Sequence, residues 1–234
     1  MRLLVFLLLL SCGETNRCRV IESRLEGGYG LQTGWCRLYT VVPHGVARSV
    51  SLNRDALARV VAGIRADGVP IVNAFSDAES RRRAERLAEA YGGTVMSWLS
   101  VPQMVGETIY VPWEPGNEPD TLSALLTYAH EYQHVLQDRA EGPEFGMVYG
   151  LDLMSRAWFE ADASNAERDV IFALYGETSA VKDDWASTLA AGYATGPASV
   201  SVFLGVLRAG DVVRDRGYFS TLGGSRVVGW ANDV

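Results

Sequence analysis

The sequence predicts an α+β fold, in which a small mixed sheet packs on one long helix and the C-terminal half is mostly helical. Three observations support this prediction. Strand-like and helix-like segments alternate up to residue 111, an apolar stripe with helical spacing runs from Thr121 to Ala140, and helical patterns follow from Gly150 onward. Such a separation of sheet-forming and helical regions along a chain is typical of α+β proteins.

Start and stop signals bound the elements of the N-terminal half. Asn53 is the expected N-cap of a first helix that Asp67-Gly68 ends, and the string Ser76-Asp77-Ala78-Glu79 has the form of a capping box. Gly92-Gly93 should stop the second helix. Short runs rich in β-branched and aromatic residues favour strands. We therefore expect strands at 36–42, 69–75, 94–99 and 107–111, and helices at 53–66 and 77–91.

The long helix and its successors carry similar signals. The segment Pro112 to Pro119 is a loop rich in proline and glycine, and Asp120 or Thr121 caps the helix that follows it. Beyond that helix we expect further helices at 150–175 and 182–193, and another that opens after Gly196-Pro197.

The composition is that of a globular chain with one core. Of its 234 residues 48% are hydrophobic and 21% are charged, so we expect residues 35–234 to form a single domain. Within it, 35–140 would hold the sheet and the long helix, and 141–234 the helical half. The net charge is −7, and the cluster Arg81-Arg82-Arg83 lies among acidic neighbours on a predicted helix. No basic stripe is available for phosphates, so we expect no nucleic-acid partner.

The N-terminus has the pattern of an export signal. Met1-Arg2 is followed by the apolar run Leu3 to Leu10, which is too short to cross a bilayer as a helix, and then by small residues. Residues 1–12 are therefore expected to be a signal peptide or a lipoprotein signal, because Leu9-Leu10-Ser11-Cys12 resembles a bacterial lipobox. In the second case Cys12 carries the lipid, and this anchor is the protein's only expected contact with a membrane. Residues 13–34 are polar and glycine-rich, which favours a tether.

The cysteine count agrees with export. With Cys12 lipidated, Cys18 and Cys36 remain as an even pair in an oxidising compartment, and we expect them to form a disulfide. Two unpaired thiols are the alternative. The expected location is therefore the cell envelope, as a lipoprotein, or a secreted or periplasmic site.

The string His130-Glu131-Tyr132-Gln133-His134 inside the long helix is the strongest chemical signal in the chain. Two histidines four residues apart lie one turn apart on one helix face, so both imidazoles can bind one metal ion. Both fall at the edge of the apolar stripe, where residues that line a cleft would lie. Glu131 is rotated about 100° from His130, where it can take a proton from a water molecule. The alternative is a pair of surface histidines beside an ordinary glutamate.

A catalytic zinc ion needs a third protein ligand. Glu160 is the best candidate, because it lies among apolar and aromatic residues of a later predicted helix, where an unpaired carboxylate would be costly to bury. His44, the remaining histidine, lies far upstream in an expected loop. Three other carboxylates are weaker candidates: Glu141, Glu144 and Glu167.

The motifs resemble those of a known family. The helix reads HExxHxxQ through Gln137, and Glu160-Ala161-Asp162 follows on a later helix. This pattern is similar to that of zincin metallopeptidases of the gluzincin type, and to small bacterial zincin-like domains whose edge strand precedes the HExxH helix. The resemblance covers roughly residues 95–166.

The resemblance implies a zincin-like fold and a zinc ion held by His130, His134 and Glu160, with Glu131 as the general base. By the same analogy Asp162 is expected to orient a ligand histidine. The implied activity is that of a zinc metallopeptidase acting on a peptide or protein substrate. The alternatives are a non-catalytic binding or structural lipoprotein of the same fold, and a zinc amidase acting on a non-peptide amide.

The sequence leaves two features of substrate binding undecided, the oxyanion donor and the strand that pairs with the substrate. A tetrahedral oxyanion needs a second donor, and four residues are candidates for it: Tyr149, Tyr175, Tyr193 and His44. The predicted strand at 108–111 can pair with an extended peptide if its edge is free.

Overall fold

The predicted α+β class is confirmed. The computed structural model describes residues 20–25, 28–33, 36–43, 53–176, 181, 183–215 and 218–232. Most of these residues are helical, and a small three-stranded mixed sheet packs against the long helix. The predicted signal at 1–12, the lipidation site Cys12, and His44 lie outside the described residues. So does Cys18, and with it the predicted disulfide to Cys36.

The N-terminal strands correct the predicted tether over 20–25 and 28–33, the residues of 13–34 that the structure describes. Strands β1 (Val20–Leu25), β2 (Gly28–Thr33) and β3 (Cys36–Pro43) form an antiparallel sheet, and β7 (Tyr218–Phe219) pairs with β3. We interpreted the glycine-rich composition of 13–34 as that of a linker. Short connections that contain glycine also join hairpin strands, however, and here the strands that flank residues 26–27 pair along their whole length.

The first two helices form close to their predicted positions. Helix α1 spans Arg54–Ala66, and the backbone amide of Ala56 donates to Asn53 Oδ1 at 2.8 Å, which confirms Asn53 as the N-cap. Strand β4 (Ile71–Asn73) follows. Helix α2 spans Ala78–Tyr91 and is capped by Asp77, whose carboxylate accepts from the Ser80 amide at 2.6 Å. The capping box that we predicted from Ser76 is therefore wrong by one residue.

The strand predicted at 94–99 is wrong, because this segment is the short helix α3 (Val95–Leu99). Thr94 and Ser97 form a reciprocal capping box: the Ser97 amide donates to Thr94 Oγ1, and the Thr94 amide donates to Ser97 Oγ, each at 3.0 Å. These two bonds satisfy the first-turn donors and outweigh the strand preference of single residues such as Val95. The missing strand, β5 (Gln103–Val105), comes four residues after this helix.

The mixed sheet has the order β4-β6-β5, in which β6 spans Thr108–Val111. Strand β6 is parallel to β4 and antiparallel to β5. Because β6 is paired on both sides, the substrate edge that we considered at 108–111 is not free. The edge strands of this sheet are β4 and β5, and within the described residues each of them pairs only with β6.

The long helix α4 spans Thr121–Glu141, and Asp120 caps it by accepting from the Ser123 amide at 2.8 Å. One face of α4 buries Tyr128, Tyr132 and Val135 in the main hydrophobic cluster, together with residues of α1 and of the sheet. Gly142, with φ 73°, ends the helix. The helix therefore lies between the sheet on one side and the C-terminal half on the other.

The C-terminal half is helical, as predicted, but its boundaries differ. Its described residues include the α-helices α5 (Phe145–Leu151), α6 (Leu153–Tyr175), α7 (Asp183–Gly192), α8 (Val200–Arg214) and α9 (Leu222–Asn232). The predicted helix at 150–175 begins later, because Asp152 accepts from the Met154 amide and acts as the N-cap. Helices α5 and α9 were not predicted, since glycines interrupt the apolar pattern of both.

A buried ion pair fastens the C-terminal elements to α6. Asp169, with no exposed surface, accepts from Arg214 Nη1 at 2.8 Å and from the backbone and hydroxyl groups of Ser220 and Thr221. A buried carboxylate needs such compensation. The bonds hold the end of α8 and the start of α9 against α6, so that α9 packs across α1 and α4.

Among the described residues, no helix combines the length and the apolar character needed to cross a membrane.

The seating of α9 on α1 depends on the absence of a side chain at Gly63. A Cβ atom at this position would lie 2.3 Å from Cδ2 of Trp230, whose ring packs edge-on against Tyr132 at 5.1 Å between centroids. We expect Gly63→Ala to lower the free energy of unfolding by about 1 to 3 kcal/mol, because α9 must shift. Urea denaturation measures this change.

Gly192→Ala is the matched control. No atom lies within 4 Å of the position that its Cβ would take, and alanine is the better helix former. Equal stability of the two variants would contradict close packing of α9 on α1.

Candidate metal centre

The packing of α6 against α4 builds the candidate site. Helix α4 contributes His130, Glu131 and His134, and α6 contributes Glu160. Ala166 on α6 is fully buried in the same hydrophobic cluster as Ala129 on α4, and these small side chains allow the two helices to approach closely. The four functional side chains are consequently buried, with exposed fractions between 2% for Glu160 and 7% for His130.

Three potential ligand atoms form a compact triangle. Nε2 of His130 lies 3.2 Å from Nε2 of His134 and 3.2 Å from Oε2 of Glu160, and the third side, from His134 Nε2 to Glu160 Oε2, is 3.5 Å. Two ligands bound tetrahedrally at 2.0–2.1 Å from one metal ion are about 3.3 to 3.4 Å apart. The triangle therefore fits one face of a metal tetrahedron, and the three residues could hold a metal ion.

The second nitrogen of each imidazole has a fixed partner. Nδ1 of His134 lies 2.7 Å from Oε1 of Gln137, and Nδ1 of His130 lies 2.6 Å from Oε1 of Glu167. Both partners are oxygen acceptors, so each Nδ1 carries the proton and each Nε2 presents a lone pair to the centre of the triangle. This is the tautomer that a metal ion requires.

Gln137 and Glu167 thus do what we expected of Asp162. Gln137 follows His134 by three residues on α4, which is a contact distance on a helix, so the spacing HxxQ could have suggested its role. Glu167 was considered as a ligand, but its Oε1 is bonded to Nδ1 of His130, the nitrogen on the far side of the ring from the triangle. Both side chains orient a ligand histidine.

Asp162 contacts Gln137 and not the histidines themselves. Its Oδ2 accepts from Nε2 of Gln137 at 2.9 Å and from Nε2 of Gln133 at 2.7 Å, and Gln133 Oε1 in turn accepts from the Gly223 amide at 2.9 Å. Burial raises the pKa of Asp162 to about 6, although the two amide groups lower it. The side chain reaches His134 only through Gln137.

The two oxygens of Glu160 have different partners. Oε2 faces the histidines, whereas Oε1 accepts a short hydrogen bond from the hydroxyl group of Tyr149. Tyr149 lies on α5, whose packing against α6 places the phenol over the ligand. In this arrangement Glu160 could offer a metal ion a single oxygen, Oε2.

The site favours a positive charge at its centre. Burial alone would raise the pKa of Glu160, but His134 and His130 hold it below its usual range. Burial alone would lower the pKa of His130, but the hydrogen bonds to Glu160 and Glu167 raise it well above its ordinary value. Carboxylates that stabilise protons on neighbouring imidazoles also stabilise a metal cation in their place.

Glu131 lies beside the triangle and is not part of it. Burial raises the pKa of its carboxyl group, while the two histidines and a hydrogen bond from the backbone amide of Met104 lower it. That bond links Glu131 to strand β5. A buried carboxyl group with a raised pKa is suited to exchange protons near neutral pH.

The structure separates the four candidates for the oxyanion donor. Tyr149 and Tyr193 lie at the site, since the Tyr193 ring stacks on His130 at 6.3 Å between centroids. Tyr175 is 58% exposed and lies on α6 fifteen residues from Glu160, about 22 Å along the helix, so this candidate is wrong. His44 lies outside the described residues.

Comparison of the chain with protein-family models, with curated proteins and with solved structures gave no match. The interpretation of the site therefore depends on its own geometry and on the sequence motifs.

Glu160→Ala should remove the metal ion, because the two remaining histidines do not complete a site. We expect affinity to fall by more than the roughly 10- to 100-fold loss that follows removal of an outer partner. Metal content after gel filtration, measured by inductively coupled plasma mass spectrometry, checks this expectation.

Glu144→Ala is the control, because Glu144 is an exposed glutamate just beyond α4. Stoichiometric metal in Glu160→Ala would show that Glu160 is not a ligand.

Proposed function

We propose that the protein is a zinc-dependent metallopeptidase with a zincin-like fold. The observation that carries this proposal is the buried triangle of His130 Nε2, His134 Nε2 and Glu160 Oε2, with the Glu131 carboxylate beside it. The HExxH motif on α4, the third residue on α6 and the mixed sheet along α4 support the fold assignment.

The donor set favours zinc. Two imidazole nitrogens and one carboxylate oxygen are the protein ligands of several catalytic zinc sites, in which a fourth position accepts water or substrate. Magnesium and calcium prefer sites made of oxygen atoms alone. When bound, zinc supplies a Lewis acid that lowers the pKa of a water molecule and polarises a carbonyl group.

Glu131 is the proposed general base. Its carboxylate interacts with the Met104 amide and is buried, with 6% of the residue exposed. From this position it accepts a proton from the attacking water and later delivers that proton to the leaving amine. A purely structural metal site would not need a buried carboxyl group beside it, so Glu131 favours an enzyme over a binding or structural protein of the same fold.

Tyr193 is the proposed donor to the oxyanion. The Tyr149 proton is already engaged by Glu160, whereas no hydrogen bond within the described chain uses the Tyr193 hydroxyl group. Burial and the nearby carboxylates of Glu160 and Glu167 raise the pKa of Tyr193, so the phenol stays protonated and can donate.

The outer edge of β5 is the proposed platform for an extended peptide. A two-residue turn joins β5 to β6, and Val105 and Thr108 flank it as the closing hydrogen-bonded pair. The next pair, Met104 and Ile109, is then of the non-hydrogen-bonded kind, so the backbone groups of Met104 face outward. The Met104 amide interacts with Glu131, and the Met104 carbonyl oxygen can accept a hydrogen bond from a peptide. Because this edge lies beside Glu131, a peptide strand added to it would pass the metal centre.

Peptide or protein substrates fit this edge better than small non-peptide amides do, since the edge offers backbone hydrogen bonds to a strand. The N-terminal pattern places the enzyme outside the cytoplasm, as an envelope lipoprotein or a secreted protein, and this part of the proposal rests on the sequence alone.

Glu131→Gln separates metal binding from catalysis. We expect the variant to keep stoichiometric zinc and to lose about 100- to 10,000-fold in kcat on an unstructured protein substrate such as casein, because only the proton acceptor is removed. Cleavage is measured by peptide release, with Glu144→Gln as the control.

Unchanged cleavage by Glu131→Gln would exclude the proposed base. Absence of cleavage by the zinc-loaded wild type on diverse peptides would instead favour a non-catalytic protein or an amidase.

The two tyrosines at the site should respond differently to the same change. Tyr193→Phe is expected to lower kcat by about 100- to 1,000-fold with unchanged zinc affinity, because it removes only a transition-state donor. Tyr149→Phe is expected to weaken zinc binding by about 10- to 100-fold, because it frees Glu160. Titration with a competing chelator and single-turnover kinetics measure the two effects, and Tyr175→Phe is the control.

The reverse pattern, with kcat lost in Tyr149→Phe and metal affinity lost in Tyr193→Phe, would interchange the two assignments.

A further inference from the structure

The turn between β5 and β6 has an unusual backbone. Gly106 has φ 55° and Glu107 has φ 61°, which is the conformation of both central residues in a type I′ turn. Glycine, asparagine and aspartate are the usual residues here, and a glutamate at positive φ is uncommon. Such a conformation persists when surrounding interactions hold the residue in place.

The interaction that holds Glu107 comes from α4. Nε of Arg139 donates to Glu107 Oε2 at 2.8 Å, and its other nitrogens donate to Asp67, Nη1 to Oδ2 at 2.6 Å and Nη2 to the backbone oxygen at 3.1 Å. Asp67 is itself held by the hydroxyl group of Tyr132 at 2.7 Å and by Arg226 at 3.2 Å. The contacts with Asp67 therefore hold the guanidinium group of Arg139 in place even without the turn.

The hairpin is attached to α4 at two points. At one end the Glu107 carboxylate binds Arg139, and at the other the Met104 amide donates to Glu131. The two positions on α4 are eight residues, or about 12 Å, apart along the helix axis. The two attachments together hold the hairpin at one place along the helix.

The register of β5 along α4 decides what its outer edge can do. The two-residue turn fixes the pairing of β5 with β6, so a displacement along α4 would move the whole hairpin. The outer edge of β5 would then lie further from Glu131.

We propose that Glu107 and Arg139 are positioning residues, which together hold the outer edge of β5 in register with Glu131. An extended peptide that pairs with this edge is thereby placed with its scissile bond at the metal centre. This inference rests on the proposed peptidase function. It adds to that function a pair of residues that touch neither the metal ligands nor the reacting groups.

The pair is partly exposed, with 47% of the Glu107 side chain and 32% of the Arg139 side chain accessible. Exposed ion pairs contribute little to stability, so we do not expect the pair to be required for folding. Its effect should appear in the affinity for substrates long enough to reach β5.

The test uses Glu107→Asn in the full-length, zinc-loaded protein. Asparagine adopts positive φ readily and follows glycine in type I′ turns, so it preserves the turn, but its side chain is too short to reach Arg139. We expect KM for an extended peptide of about eight residues to rise roughly threefold to fivefold, the range of a lost exposed ion pair. We expect kcat and zinc content to stay unchanged.

A dipeptide amide that does not extend along β5 should show no change in KM. Arg208→Gln breaks an exposed ion pair to Asp183, of 2.9 Å, on the C-terminal half and is the matched control. In an Arg139→Gln background, Glu107→Asn should have no further effect, because the pair is already broken. A KM for the octapeptide that equals that of the wild type, or an equal rise for the dipeptide amide, would overturn the proposal.

Hydrogen exchange of the Met104 amide provides a test that does not need activity. The amide should be protected in the wild type and in Arg208→Gln, and should exchange several-fold faster in Glu107→Asn, as followed by nuclear magnetic resonance. Unchanged exchange would overturn the positioning role. If the wild type cleaves no peptide but Met104 loses protection in Glu107→Asn, then the proposed function fails while the register-setting role of the pair stands.

Discussion

The burial of the Glu160 carboxylate between two imidazoles is the interaction on which the rest of the site depends. A carboxylate with 2% exposure is costly unless positive charge and hydrogen bonds compensate for the water that it has lost. His130 and His134 supply this compensation on one oxygen, as proton carriers or as fellow ligands of a cation, and Tyr149 supplies it on the other. The close packing of α6 on α4, which small residues permit, brings these groups together.

A series of buried hydrogen bonds connects the start of α9 to the candidate metal site. The Gly223 amide at the start of α9 donates to Gln133, which shares Asp162 with Gln137, and Gln137 orients His134. The start of α9 is in turn held by Asp169 and Arg214. The side-chain amides of Gln133 and Gln137 and the carboxylates of Asp162 and Asp169 all have partners in this chain of contacts, as buried groups require. The C-terminal helix thus supports a ligand histidine that it does not touch.

The site was more predictable than the sheet that flanks it. His130 and His134 could be placed because one helix orients both, and Glu160 because a carboxylate in an apolar helix needs a reason to be there. The strand predicted at 94–99 failed because the Thr94–Ser97 capping box acts through hydrogen bonds that residue preferences do not describe. The tether at 13–34 failed because glycine marks both linkers and tight turns, and only pairing with a neighbouring strand distinguishes them.

The sequence by itself determined the local features of this protein: the α+β class, the HExxH helix that starts at Asp120 or Thr121, and the types of side chain that can bind a metal ion. The tertiary structure alone decided which residues meet across elements. It assigned Gln137 and Glu167 to the histidines, placed Tyr149 and Tyr193 at the site and Tyr175 away from it, and made β5 an edge strand of the mixed sheet. The physical reason is that helix periodicity and capping act within a few residues. Contacts between residues far apart in the chain depend on how whole elements pack.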